Sequence, residues 1–378
     1  MEYRKIPNIG VEVSLLGFGC MRFPVTKEGK IDETKALKMI DLAYKNGVNY
    51  FDTAYFYHNG ESEKFTGKAL SRYDRSSFYL ATKLPCSIVK SIEDAERIFN
   101  EQLQRLQTDY VDFYLLHAVN RKLFDQMVEL GVPEFCENLR KQGKIRYFGF
   151  SFHDDYDAFE YIVRYRKWDF CQLQLNYMDM EEQAGFKGYK LAEELGIPVI
   201  VMEPVKGGNL AKLPRSASKY FKALAPDKSI SSFALRYVGT LPNVKVILSG
   251  MTTLSQVSDN LNTFDNFAPL NDVEMEAVEK VRSVLKARVN NSCTACRYCM
   301  PCPAGVDIPR NFALWNKYGI YRNKNDIRWN WQNNFDDKLK AKNCVQCGKC
   351  EKVCPQKISI RKDLQKLQNE LDVLCAAN

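Results

Sequence analysis

The chain has 378 residues, 45% of them hydrophobic and 26% charged, with a formal net charge of +8. That balance is ordinary for a folded globular protein, and the length allows two or three domains. Nothing approaches the roughly 20 apolar residues of a spanning helix, the opening MEYRKIPNIG lacks an apolar signal core, and the basic residues are interspersed with acidic ones, so a cytoplasmic protein with neither membrane nor nucleic-acid partners is expected.

From residue 10 to about 265, strand-like runs alternate with helical patterns. Strands are predicted near 14–20, 49–54, 78–84, 110–117, 145–152, 170–177, 198–204 and 244–250. Between them lie amphipathic segments such as DETKALKMIDLAYKNG from Asp32 and SIEDAERIFNEQLQRLQ from Ser91, each opening on a capping residue. Gly47, Gly143 and Gly196 stand just past helix ends, where a left-handed residue is needed. Eight alternations in roughly 250 residues match the α/β class and a closed, parallel (β/α)8 TIM barrel. An open doubly wound sheet would carry a glycine fingerprint after its first strand, and GFGCMRFP lacks the third glycine. A last helix from Asn271 leads into Cys293, which sets the expected domains at 1–288 for the barrel and 289–378 for a small appended module.

In such a barrel, chemistry belongs at the carboxyl ends of the strands. The second ends NYFDTAYFYHNGESE and offers Asp52 and Tyr57, the third ends ATK with Lys83, and the fourth ends LLH with His117. A phenol with a pKa of about 10 is a poor proton donor or acceptor near neutrality. Lys83 would favour the phenolate, Asp52 would hold Lys83 by an ion pair, and His117 would donate to a carbonyl oxygen as charge develops there. Tyr57 is then a general acid in reduction and a general base in oxidation. Singly, each residue has a bland reading as a turn cap or a strand end; four complementary groups on three successive strands point to function.

The FDTAxxY segment, the ATK end and the LLH end together resemble the aldo-keto reductase family, over most of residues 1–265. The resemblance implies reduction of an aldehyde or ketone, or oxidation of the alcohol, with a nicotinamide cofactor and no metal, and a catalytic tetrad of Asp52, Tyr57, Lys83 and His117. On the fifth strand Phe148, Phe150 and Phe152 alternate outward, leaving Gly149, Ser151 and His153 on the inner face. Ser151 matches the family's GxS motif. On the sixth, Gln172, Gln174 and Asn176 share a face, a costly polar row unless it has partners. Gln172 resembles the glutamine that joins the serine in holding the nicotinamide carboxamide; Gln174 and Asn176 also suit a ligand-free network. After the seventh strand, MEPVKGGNL places Met202, Pro204, Gly207 and Gly208 in a turn suited to a pyrophosphate. LSGMTTLSQVSDNL, after the eighth, resembles the adenosine-binding segment, with Gly250, Gln256 and Asn260 as contacts. Many relatives stack an aromatic ring where this chain has Met202, a softer contact. NADP-preferring relatives carry lysine and arginine at Gly250 and Gln256; without them a 2′-phosphate loses charge-assisted hydrogen bonds, which favours NADH over NADPH.

Eight of the thirteen cysteines lie in the last quarter, as CTACRYCMPCP from Cys293 and CVQCGKCEKVCP from Cys344. Three cysteines two residues apart, then a fourth before proline, resemble the bacterial two-cluster ferredoxin pattern. The resemblance implies two 4Fe-4S clusters, with the fourth cysteine of each run serving the other: Cys293, Cys296, Cys299 and Cys354 for one, Cys344, Cys347, Cys350 and Cys302 for the other. Only two residues separate Cys299 from Cys302, so that turn must be tighter. Zinc is the competing reading of CxxC pairs, but the grouping in threes and the lack of histidine past His153 favour iron and sulfur. The remaining Cys20, Cys86, Cys136, Cys171 and Cys375 are scattered, as in a reducing compartment. The whole reads as a carbonyl reductase with a ferredoxin-like module that orders the tail, docks, or exchanges electrons with a partner. The alternative is an electron-transfer or docking protein with a silent barrel.

Overall fold

The computed structural model describes residues 1–376. Strands β1 (Tyr3–Ile6) and β2 (Val11–Ser14) form an antiparallel hairpin in which Tyr3 faces Ser14. Eight further strands close a parallel barrel: β3 (Leu16–Gly19), β4 (Tyr50–Asp52), β5 (Tyr79–Leu84), β6 (Val111–Val119), β7 (Ile145–Phe152), β8 (Phe170–Gln174), β9 (Val199–Met202) and β10 (Val244–Gly250). β10 completes the ring by pairing with both β9 and β3, setting Gly250 opposite Gly19. The fold is therefore the parallel eight-stranded barrel, and each predicted strand has its counterpart.

The hairpin is what sequence patterning missed. Leu15 separates β2 from β3, so one apparent apolar run near 14–20 is the end of a hairpin followed by a barrel strand. Ile6 and Val13 of the hairpin are fully buried with Tyr50, Phe113, Phe170 and Val246, residues near the amino ends of their strands. Each buried side chain of this size contributes about 1.5–3 kcal/mol. The amino-terminal end of the barrel is thus sealed, and only the carboxyl ends remain for chemistry.

Local signals set the element ends. Asp32 caps the helix Glu33–Lys45 by accepting from the Lys35 amide, and Ser91 caps Ile92–Leu106 by accepting from Asp94. Gly47, past the first of these, has φ +89°, a conformation glycine adopts without steric cost. β8 stops at Gln174, short of the predicted 177, because Asn176 folds back: its Oδ1 accepts from the amides of Met178 and Asp179, both at 3.0 Å.

The chain divides into two compact units, Met1–Ala211 with Lys228–Met275, and Lys212–Asp227 with the segment from Glu276 onward. The second has a core of its own, drawn from Val306, Phe312, Trp315, Ile327, Trp331, Ile360, Leu364, Leu367 and Leu371. Trp315 on the helix Ile308–Tyr321 donates its indole N–H to Glu370 on the helix Ile360–Ala376 at 2.8 Å. The Trp- and Asn-rich stretch is ordered: a helix over Lys324–Trp329 runs into a π-helical turn, Asn330–Asn334, that buries Trp331. Among the described residues no helix is long and apolar enough to cross a membrane.

Candidate active site

Strand register brings the predicted residues together at the carboxyl end of the barrel. Asp52 lies opposite Ala81, so Lys83, two residues on, shares its face; Lys83 lies opposite Leu115, and His117 follows by the same step. The Lys83 ammonium donates to Asp52 Oδ1 at 2.6 Å and to the Thr53 carbonyl at 2.8 Å, and both charged groups are buried. Tyr57 opens the short turn after β4. Its ring centroid lies 5.0 Å from Lys83 Nζ and 6.0 Å from the His117 ring, which meets it edge-on at 78°.

Burial governs the protonation of this group. It raises Asp52, against the pull of Lys83. It works against the charge on Lys83 too, yet Asp52 and Tyr57 outweigh it and hold the ammonium above its ordinary value. Tyr57 is raised rather than lowered, because desolvation of its phenolate exceeds the attraction of Lys83. Beside the cation that the sequence places there, burial adds the larger opposing effect and keeps Tyr57 protonated. His117 is pushed down to about 3 by burial, with Lys83 and His153 adding to it, so its imidazole is neutral at ordinary pH.

The cofactor-side residues divide. Ser151 and Gln172 are opposite one another on β7 and β8, both buried. Ser151 Oγ accepts from the Ala118 amide at 2.8 Å, while Gln172 approaches Met202 Sδ at 3.6 Å and leaves its buried Oε1 without a partner. Gln174 and Asn176 are committed elsewhere: each donates to Asp179 Oδ2 at 2.9 Å, and Lys206 holds the other oxygen at 2.5 Å. After β9, Pro204 is buried and Gly207 and Gly208 adopt left-handed backbone, φ +61° and +92°. Nothing lies within 4 Å of where a Cβ on Gly208 would stand, so the turn is an open cradle.

The last segment is less free. A Cβ on Gly250 would stand 2.6 Å from Arg22 Cγ. Gln256 is occupied as a helix cap, its Oε1 accepting from the amides of Thr252 and Thr253 at 2.7 and 3.2 Å. Asn260 is buried and donates to Ser249 Oγ at 2.8 Å.

Three groups escaped sequence reading. Arg22, on the turn after β3, has Nη2 4.0 Å from the Cβ position of Gly207. The Asp179–Lys206 pair links two loops. Behind Lys83, fully buried Glu63 accepts from Thr82 at 2.6 Å, Gln102 at 2.7 Å and Arg105 at 3.3 Å, while Gln102 also donates to the Lys83 carbonyl at 2.9 Å.

The clustered cysteines wall two cavities. One, of about 210 Å³, is lined by Cys299, Cys302, Cys344, Cys347 and Cys350; a narrower one is lined by Cys293, Cys296, Cys299 and Cys354. Each thus combines three cysteines of one run with the last of the other, and Cys299 lines both. The two runs also share a backbone signature. Ala295 and Arg297 in the first, Gln346 and Gly348 in the second, are left-handed at matching places, as are Gly305 and Lys357, each three residues past the fourth cysteine. Such alternation turns successive amides toward a concave, anion-accepting face. Among the described residues no three His, Cys, Asp or Glu side chains close on a point as for a single ion. Donors spread around a cavity suit a body of several atoms, and an all-thiolate set suits iron and sulfide.

Residues 15–283 match the Aldo/keto reductase family, and residues 292–359 match the 4Fe-4S dicluster domain. L-galactose dehydrogenase of Arabidopsis thaliana is 28% identical, covering 76% of this chain and 95% of its own length. YqkF, an uncharacterised oxidoreductase of Bacillus subtilis, is 26% identical over 74% of this chain and 96% of its own. Among solved structures, the holo form of an aldo-keto reductase from Bacillus halodurans superposes with a TM-score of 0.62 at 29% identity, covering 74% of this chain and 96% of that one. An aldo-keto reductase from Klebsiella pneumoniae in complex with NADPH shares the fold, with a TM-score of 0.60 at 20% identity over 75% and 96% of the two chains.

Proposed function

The chain belongs to the aldo/keto reductase family and carries a C-terminal 4Fe-4S ferredoxin-like domain, and from that membership we propose that it interconverts an aldehyde or ketone with the alcohol, using a nicotinamide dinucleotide and Tyr57 as acid and base. The observation that supports this most is the buried Lys83–Asp52 pair set against Tyr57, with neutral His117 across from it. Bound NADH or NADPH supplies the hydride.

Ser151 and Gln172 would hold the carboxamide, the latter through a carbonyl that otherwise has no partner. Met202 would flank the ring, Pro204 shapes the turn, and the Gly207 and Gly208 amides would hold the pyrophosphate, with Arg22 as the cation beside them. His117 and Tyr57 donate to the substrate oxygen. As the alcohol forms, Tyr57 passes its proton to that oxygen, and Lys83, anchored by Asp52, balances the phenolate left behind. Oxidation runs the same steps backward. Gln174 and Asn176, spent on Asp179, position the loops without touching the cofactor.

NADH is the favoured nucleotide. Gly250 offers no cation, Gln256 is engaged as a cap, and Asn260 is bonded to Ser249, so none of these three positions clamps the 2′-phosphate of NADPH. In the C-terminal domain we assign one 4Fe-4S cluster to Cys293, Cys296, Cys299 and Cys354, and a second to Cys344, Cys347, Cys350 and Cys302, which would supply one-electron chemistry. The test is an anaerobic preparation assayed for iron and sulfide, about eight of each per chain being expected, then screened with aldehydes and ketones against both nucleotides. If no carbonyl turns over in iron-replete protein, the reading of a silent barrel beside an electron-transfer module takes its place.

A further inference from the structure

Around the larger cysteine cavity stand three apolar side chains left in water: Tyr298, Val345 and Val353 are 70%, 67% and 51% exposed, and all three line it. Single exposed apolar residues are unremarkable, but three on the lip of one cavity form a patch with a purpose. The narrower cavity shares Tyr298, but its large aliphatic and aromatic lining otherwise, Ile308, Phe312, Ile358 and Ile360, is buried. Only the larger one adds exposed valines to its rim.

Charge is distributed just as unevenly. Residues 292–378 contain fifteen lysines and arginines against eight aspartates and glutamates, which accounts for +7 of the chain's +8. Two of these cations stand at the apolar lip. Lys349 lines the cavity, and Lys352, on the same short helix, precedes Val353; both are exposed. Among the described residues neither has a carboxylate partner, because the acid beside them, Glu351, is held by Arg361 at 2.8 Å.

We propose that this rim is a docking face for an acidic one-electron carrier protein, which exchanges electrons with the cluster held by Cys302, Cys344, Cys347 and Cys350. The proposal rests on the two-cluster assignment above. The apolar lip excludes water at the point of closest approach, while the unpaired lysines attract and orient a negative partner, the usual division between contact and steering. The reduced carrier gives up one electron and the cluster takes it; no bond forms and no proton moves. An anionic membrane or a nucleic acid would use the lysines, but neither explains why the apolar ring surrounds a cysteine cavity.

Anaerobic titration of the full chain with a flavodoxin, a small acidic flavoprotein, tests this. Saturable binding with a Kd of about 1–100 μM is expected, weakening as salt is raised. Lys349→Glu with Lys352→Glu should weaken it by about tenfold or more while iron content and visible absorption stay unchanged. Should that pair of changes lose iron, Lys352→Glu alone, outside the cavity wall, serves instead, with a loss of about threefold expected. Iron-replete protein that ignores flavodoxin, or charge-reversed protein that binds it equally well, would overturn the proposal alone. So would preferential binding to phosphatidylserine vesicles or to RNA. Zinc in place of iron would overturn it together with the cluster assignment.

Discussion

Cysteine serves opposite ends in the two units of this chain. In the barrel, Cys20 and Cys86 are wholly buried, and burial pushes each thiol up to about 12, so they pack as small apolar groups. In the C-terminal unit, Cys296 and Cys347 are exposed on left-handed turns and six others stand half-buried around two cavities. The barrel keeps its chemistry in charges that satisfy one another, Asp52 with Lys83. The other unit offers donors that face a shared space. One residue type is filler in the first setting and cavity wall in the second, and the backbone around it decides which.

The contrast breaks most readily at Tyr57. Tyr57→Phe should cut carbonyl reduction by about 10²–10⁴-fold in steady-state assays with iron content unchanged; undiminished turnover would remove the barrel's half of the comparison. The cysteine half is tested by Cys354→Ser beside Cys293→Ser. Each should lose about half of the bound iron and leave the same cluster signal in the paramagnetic resonance spectrum. Different residual signals would show that the fourth ligands do not cross over.

Smaller effects sharpen the picture. Glu63→Gln keeps shape but removes the buried charge that Arg105 meets, so kcat should fall about tenfold with KM little changed and the pH profile unmoved. Arg22→Ala should raise KM for NADH and NADPH alike by about threefold to tenfold, since the pyrophosphate is common to both; a loss confined to NADPH would instead make Arg22 the 2′-phosphate clamp. The smallest expected change is none at all. With His117 pushed down to about 3 and Tyr57 raised above 10, neither group changes protonation from pH 5 to 9. The proton-donor form of Tyr57 persists below its raised pKa and is lost only above it, so reduction should decline in strong alkali without an acid limb from His117.

What was legible in the sequence follows from period and spacing. Asp52, Lys83 and His117 fall on one face because strands alternate and neighbours advance by fixed register, which a strand-by-strand reading can use. The division of the eight cysteines is instead what the resemblance to the two-cluster ferredoxin pattern implies. Glu63, Arg22 and the Asp179–Lys206 pair sit on helices and loops whose approach only the closed barrel determines, and no local pattern marks them. The hairpin β1–β2 hid because its strands are four residues each and one abuts a barrel strand. Gln256 is a mixed case: Thr253 and Gln256 have capping-box spacing, so its duty at the helix start could be read directly.

The repeated turn signature of the two cysteine runs has a consequence for how this unit can change over time. Each half donates one wall of the other's cavity, like two links of a chain closed through each other. Neither run can be trimmed away or transplanted whole without cost to the other, because losing it strips a cysteine from the survivor's cavity. A truncation ending between Cys302 and Cys344 would leave no four-cysteine wall like either of the two.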